Sequence, residues 1–214
     1  IATDFLSTLY PALEKQLDPD KYIIGVGRIQ GGAQFNRIPD TVEILGSYRT
    51  FDRDTTDIID RTIKECLDEV LKRYVKQGDE FSGFPDYELD ILHGYPVLVN
   101  DPMFTNAVNS KLQGSFPKLT IYPELEKTFA AEDFASYLQK VPGIFISLGT
   151  LNPEKKIVEI NHSCKFDIDE DILITGTEIF YTLSLDFLKN PKKYISSQSY
   201  FNPEPVRKSL KTDR

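Results

Sequence analysis

Apolar residues Phe5, Leu6, Leu9 and Leu13 recur at helical spacing between positions 2 and about 17, and Pro19 stands where such a helix must stop. Tyr22, Ile23, Ile24, Val26 and Ile29 then form a run of strand-forming residues that enters Gly31-Gly32. A second run, Val42, Ile44, Leu45, Tyr48 and Phe51, predicts another strand, and the link between the two carries the loop chemistry of its glycines and Pro39-Asp40. Asp54 or Thr55 is placed to cap a long helix with the apolar face Ile58, Ile59, Ile63, Cys66, Leu67, Val70, Leu71 and Tyr74, ending near Gln77-Gly78. A third strand is predicted over 87–92, after which Tyr95-Pro96-Val97-Leu98-Val99 leads out of this region.

Helix, strand, strand, helix, strand is most of a split βαβ sandwich of the ferredoxin-like α+β type, with its first strand missing. From about Asn100 the pattern changes. A helix over 105–112, a short strand over 119–122, a helix over 133–138, an apolar strand over 144–148 and a last helix over 170–188 together read as a second α/β region. Its end is a tail rich in Ser, Asn, Pro and Lys. The expected division is 1–98, 99–190 and a tail over 191–214. No internal repeat and no coiled-coil heptad is visible.

Composition narrows the partners. The chain of 214 residues is 40% hydrophobic, enough to build a core, and its 33 acidic against 25 basic residues give a net charge of −8. That balance argues against nucleic acid and anionic membranes as partners. No apolar run approaches the roughly 18 residues of a membrane span, and the N-terminus lacks the order of a secretory signal. Cys66 and Cys164 suggest no disulfide framework, which points to a reducing, cytoplasmic setting. The opening Ile1 in place of Met suggests a start inside a longer polypeptide.

The candidate chemistry is dispersed. His93 and His162 are the two histidines, and there is no HxD, HExxH or CxxC, so these residues close no metal site by themselves. His162 lies between Asn161 and Ser163, ahead of an acidic run (Asp167, Asp169, Glu170, Asp171) that reads as a cluster at a helix N-terminus. Taken alone, such a histidine reads as an ordinary surface or core residue. Glu132-Asp133 has the same helix-dipole reading. Gly31-Gly32 is a turn needing positive φ, or a close approach of backbone to another group, and no GxxxxGK or GxGxxG accompanies it. Arg49, on a strand between Tyr48 and Phe51, is either a solvated arginine or a bidentate clamp for a carboxylate. Cys66, on the apolar helix face, is a packing residue, and Cys164 lies two positions past His162.

Four segments in order carry a resemblance. GGAQFNRIPDTVEILGSYRTFD resembles the lid-domain signature GGxAxNxIPDxVxLxGxxRT of the di-metal aminoacylase and carboxypeptidase family. YPVLVNDP resembles that family's strand returning to the catalytic domain, AAEDFASYLQKVPGIFISLG its EDF stretch, and NHSCKFDIDEDIL its HSPxFxxDExxL stretch. The branch it most resembles holds hippurate hydrolase, auxin-conjugate hydrolases and N-acetyl-diaminopimelate deacetylase. The likeness covers roughly positions 1 to 190.

The resemblance implies a lid or dimerisation domain over 1–98 followed by the C-terminal part of an α/β metallopeptidase catalytic domain over 99–190. It implies metal-dependent hydrolysis of the amide bond in an N-acyl amino acid or short peptide. Two divalent ions, Zn, Mn, Co or Ni, would activate a water with a glutamate as general base. By position, His162 is implied as a metal ligand, and Gly31, Gly32, Asn36, Arg49 and Glu132 as substrate-facing groups, with a homodimer formed through the lid. The family draws its remaining ligands and its general base from an N-terminal half that this sequence does not show, so the chain alone is expected to be inactive. Cys164 stands where the family has Pro. Two alternatives remain open: a free-standing dimerisation or binding module without catalysis, and a true metallocarboxypeptidase acting on peptides.

Overall fold

A computed structural model of the chain describes residues 1–74, 85–122 and 124–196, together with the backbone of 210–211. The chain divides into two units, one comprising Ile1–Val97 with Lys127–Ala131 and the strand at 210–211, the other Leu98–Glu126 with the described residues 132–196.

In the first unit, helix α1 (Ala2–Glu14) buries Phe5, Leu9 and Leu13, the stripe that its helical spacing predicts. Strands β1 (Tyr22–Gly31) and β2 (Val42–Thr50) form an antiparallel hairpin running from Tyr22 opposite Thr50 to Gly31 opposite Val42. Gly27 is passed over where the register shifts between Val26 and Arg28, a bulge that bends the hairpin. Tyr22, Ile24, Ile44 and Tyr48 turn one face of the hairpin onto the core of Phe5, Leu9, Leu13, Leu17, Ile59 and Cys66.

Helix α2 (Arg53–Tyr74) lies against α1. Its cap is Asp52 rather than Asp54 or Thr55: the Asp52 carboxylate accepts from Thr55 N at 2.7 Å and from Thr55 Oγ1 at 2.9 Å, satisfying a donor of the first turn. These bonds hold the Asp52 carboxyl below the usual carboxylate range, with Lys21 and Lys127 adding to the effect. The predicted end near Gln77-Gly78 lies outside the described residues. Tyr74, expected on the apolar face, is exposed and donates its hydroxyl to Asp4. Conversely, Asp60 and Thr62 are buried polar residues of α2, partnered by Tyr48 and His93 and by Gln16.

The predicted third strand shrinks to β3 (Asp90–Ile91), which pairs with β4 (Leu210–Lys211) in a sheet of its own. Preceding it, Tyr87 docks on α2 by donating its hydroxyl to Asp68 at 2.7 Å, and burial with this bond raises its pKa to about 12.

The second unit is built on α3 (Pro102–Ser115), the short α4 (Ala135–Leu138) and α5 (Asp171–Lys189). Asp101 caps α3 by accepting from Phe104 N at 2.8 Å, with Pro102 in the first turn where its missing donor costs nothing. Val108, Leu112, Ile179 and Tyr194 form the core, edged by the rings of Phe104 and Phe187. Tyr194 donates to Asp186 at 2.6 Å, which lowers the Asp186 pKa, while burial and then this bond raise that of the phenol.

Neither 119–122 nor 144–148 joins a ladder, against expectation. An apolar run becomes a strand only where another edge can pair with it. At Phe145 the Asn100 carboxamide fills that role, accepting from Phe145 N at 2.7 Å and donating to its carbonyl at 3.0 Å. The α/β class stands, and no described helix is long and apolar enough to cross a membrane.

Candidate functional site

The hairpin loop between β1 and β2 carries three of the candidates. Gly31 closes the ladder where a Cβ would lie 2.8 Å from Val42 Cγ2 and 2.9 Å from Thr41 O, so a larger residue there forces a shift, and Gly32 follows with φ +79°, a backbone that strains any residue with a Cβ. They turn the chain out into an exposed loop in which Phe35 and Ile38 stand clear of any packing and Arg37 pairs with Asp40 at 3.3 Å. Asn36, exposed, lies between them.

Arg49 is elsewhere. It pairs with Ile23, whereas the loop begins at the Gly31 and Val42 pair, so about 23 Å of strand separates it from the loop. Its guanidinium donates from Nη1 to the Phe129 carbonyl at 2.6 Å. Phe129 in turn stacks on Phe51 with centroids 4.2 Å apart, and Lys127 Nζ lies 5.7 Å from the Phe51 centroid. This cationic and aromatic cluster escaped the sequence reading, because nothing in the 124–131 stretch announces that it packs beside β2. A second overlooked group is the one on α2, where His93 Nε2 lies 3.3 Å from Asp60 Oδ2 and the Tyr48 hydroxyl donates to the same carboxylate.

In the second unit, Glu132 uses Oε1 to accept from Phe134 N at 3.2 Å, and its carbonyl accepts from Ala135 N at 3.3 Å, so it closes the turn that opens α4. His162 sits at the tip of a long loop running to α5, exposed, with φ +70°. Left-handed backbone is uncommon outside glycine, and where it persists the surroundings impose it. Around it the chain turns twice, Ser163 N donating to Ile160 O at 3.3 Å and Phe166 N to Ser163 O at 3.1 Å. Ser163 Oγ donates to Glu159 at 3.2 Å and accepts from Lys165 N at 3.2 Å. Cys164 is exposed beside it, and Cys66 is buried in the first core, its thiol pKa raised by that burial.

The acidic run has a more specific use than dipole matching. Asp169 binds Lys155 and accepts from Asn152 Nδ2 at 2.6 Å, while Lys155 also reaches Asp171. The Lys155 bond and then the Asn152 bond hold the Asp169 carboxyl below its usual range. Among the described residues no group of three or more His, Cys, Asp or Glu side chains is arranged to hold a metal ion. An exposed imidazole at a loop tip fits a divalent ion as one donor of its shell. The rest of such a shell is not among the described residues.

The comparisons agree on a family. A family model described as Peptidase family M20/M25/M40 matches residues 8–186, and the chain belongs to that family. Thermostable carboxypeptidase 2 of Saccharolobus solfataricus is 29% identical over 188 residues, which are 87% of this chain and 45% of that protein. N-acetylcysteine deacetylase of Bacillus subtilis is 28% identical over 170 residues, 79% of this chain and 40% of that protein. The crystal structure of the Bacillus subtilis YXEP protein, a dinuclear metal binding peptidase from the M20 family, superposes with a TM-score of 0.62 at 25% identity, covering 86% of this chain and 46% of that one. The chain thus spans about half the length of the relatives it matches.

Proposed function

We propose that this chain is the lid (1–98) and the C-terminal catalytic part (99–190) of a metal-dependent amidohydrolase that cleaves the amide bond of N-acyl amino acids or short peptides. The observation that carries the reading is the family match across residues 8–186, with His162 presented at an exposed loop tip. His162 would hold one of two divalent ions, Zn, Mn, Co or Ni. That metal pair, when bound, supplies Lewis-acid activation of water and carbonyl. Asn36, delivered by the Gly31-Gly32 turn, would orient the substrate through its carboxamide. Arg49, one of whose five donors is used on Phe129, would present the remainder of its fork to a carboxylate. Glu132 would act near the cleft through the turn it closes.

A general base is not among the roles these residues fill, and the isolated chain would be inactive. Relatives with deacetylase and carboxypeptidase names support both an N-acyl amino acid and a peptide as substrate. Ile23, Ile29, Val42 and Leu45 are exposed on the hairpin, which supports a homodimer through the lid. Two free cysteines support a cytoplasmic setting.

The test is hydrolysis of a panel of N-acetyl amino acids and dipeptides by the complete gene product, reloaded in turn with each of the four metals. Turnover that falls at least tenfold in Asn36→Ala supports the reading. No turnover on any substrate with any metal ends it.

A further inference from the structure

The loop that carries His162 is closed at its base by one carboxylate, and that closure has a consequence for the histidine. Asp169 reaches back to the start of the loop by its backbone, donating from N to Thr150 O at 3.0 Å. Both of its side-chain oxygens are occupied on the same strand of chain, Oδ2 by Asn152 Nδ2 at 2.6 Å and Oδ1 by Lys155. The side chain is only 16% exposed. Asn152 is itself fixed, exchanging backbone bonds with Ile157 at 2.8 and 2.9 Å and accepting from Glu154 N and Lys155 N at 3.1 and 3.3 Å. Lys156, with φ +61°, turns the chain from this bracket toward the tip.

Two left-handed residues, Lys156 and His162, therefore lie within a loop whose two ends are tied together at Asp169. Neither is glycine, so each holds a backbone conformation that a free loop would leave. The tip's own hydrogen bonds are to exposed groups, whereas the base is the better covered and the more densely bonded.

We infer that Asp169 is a positioning residue, which with Asn152 and Lys155 locks the base of the 150–171 loop and so holds His162 in the left-handed backbone that presents its imidazole. The inference rests on the reading of His162 as a metal ligand. Groups that fix the orientation of a ligating histidine commonly change metal affinity by about 10- to 100-fold when removed. Asp169 also accepts from Asp171 N at 3.3 Å at the start of α5, so a purely structural role in starting that helix is the competing account.

The experiment has two readouts. In the complete gene product, nuclear magnetic resonance follows the strong intraresidue amide to α-proton Overhauser effect that positive φ gives at His162. On the complete gene product, zinc affinity is measured by competition with a chelator. Asp169→Ala is the direct variant, and Lys155→Met, at a half-exposed position, keeps the test open if Asp169→Ala fails to fold. Both should lose the Overhauser signature at His162 and weaken zinc binding about tenfold or more, with the amide shifts of α5 beyond its first turn unchanged.

If the signature at His162 survives in both variants, or α5 melts with it, the inference is overturned. If the signature is lost but His162→Ala leaves zinc affinity untouched, the ligand reading fails and takes with it the purpose assigned to Asp169.

Discussion

His162→Gly should make the protein more stable while removing the proposed metal ligand. The imidazole is exposed, so its removal forfeits little packing, but its backbone sits at φ +70°. For a residue with a Cβ, left-handed backbone costs about 1–2 kcal/mol, which glycine does not incur. Glycine gives back about 0.4–1 kcal/mol through the larger freedom of the unfolded chain. The balance is a gain of about 0–1.6 kcal/mol, and its midpoint of about 0.8 kcal/mol corresponds to about 3–6 °C in melting temperature for a domain of roughly 100 residues. Asn161→Gly, next in the loop and not at positive φ, is the control and should lose stability through the same unfolded-state term. Differential scanning calorimetry of the three proteins decides the matter. A His162→Gly variant that melts at or below Asn161→Gly would refute the claim that the histidine's backbone is held against its preference.

Four further outcomes follow from the geometry. Leu13→Ala, at a position with no exposure in the first core, should cost about 2–5 kcal/mol in urea unfolding, whereas Leu188→Ala, at 72% exposure, should cost under about 0.5 kcal/mol. Asp52→Ala should lose about 1 kcal/mol with its helix cap. Because the folded Asp52 carboxyl titrates below its unfolded value, that contribution is present above about pH 4 and fades as pH falls through the folded value, so wild type and variant should converge in acid. Tyr87, raised to about 12, should ionise after the exposed tyrosines in an ultraviolet alkaline titration. Its stabilisation is present below about pH 10 and lost as pH rises through about 12, and Tyr87→Phe should delete that late step. Gly32→Ala, at φ +79°, should cost about 1 kcal/mol and, if the loop presents Asn36 to substrate, raise KM more than it lowers kcat.

What the sequence showed was set by how local the physics is. Phe5, Leu9 and Leu13, or Ile59, Cys66 and Val70, repeat within a few residues, so their helices are legible and are found as expected. The hairpin is equally local, since its glycines and Pro39-Asp40 stand between two β-rich runs. Asp60 was hidden because a carboxylate on a helix reads as solvated. Its burial is set by Tyr48 and His93, which come from β2 and from the chain around β3. The apolar runs at 119–122 and 144–148 read as strands, but a strand is a property of two segments, and Asn100 instead satisfies the backbone of Phe145. At the site, the motif order pointed to His162, yet its left-handed backbone and the Asn152, Lys155 and Asp169 bracket are products of folding that no spacing rule contains.

The central claim is that His162 is a metal ligand of an M20-family amidohydrolase. The most direct measurement is the metal content of the complete gene product and of its His162→Ala variant, by inductively coupled plasma mass spectrometry on samples of verified mass. The account predicts about two divalent ions per chain in the wild type and a clear loss in the variant, with unchanged melting behaviour of the first unit. Equal metal content in both proteins, or none in either after reloading, would contradict it.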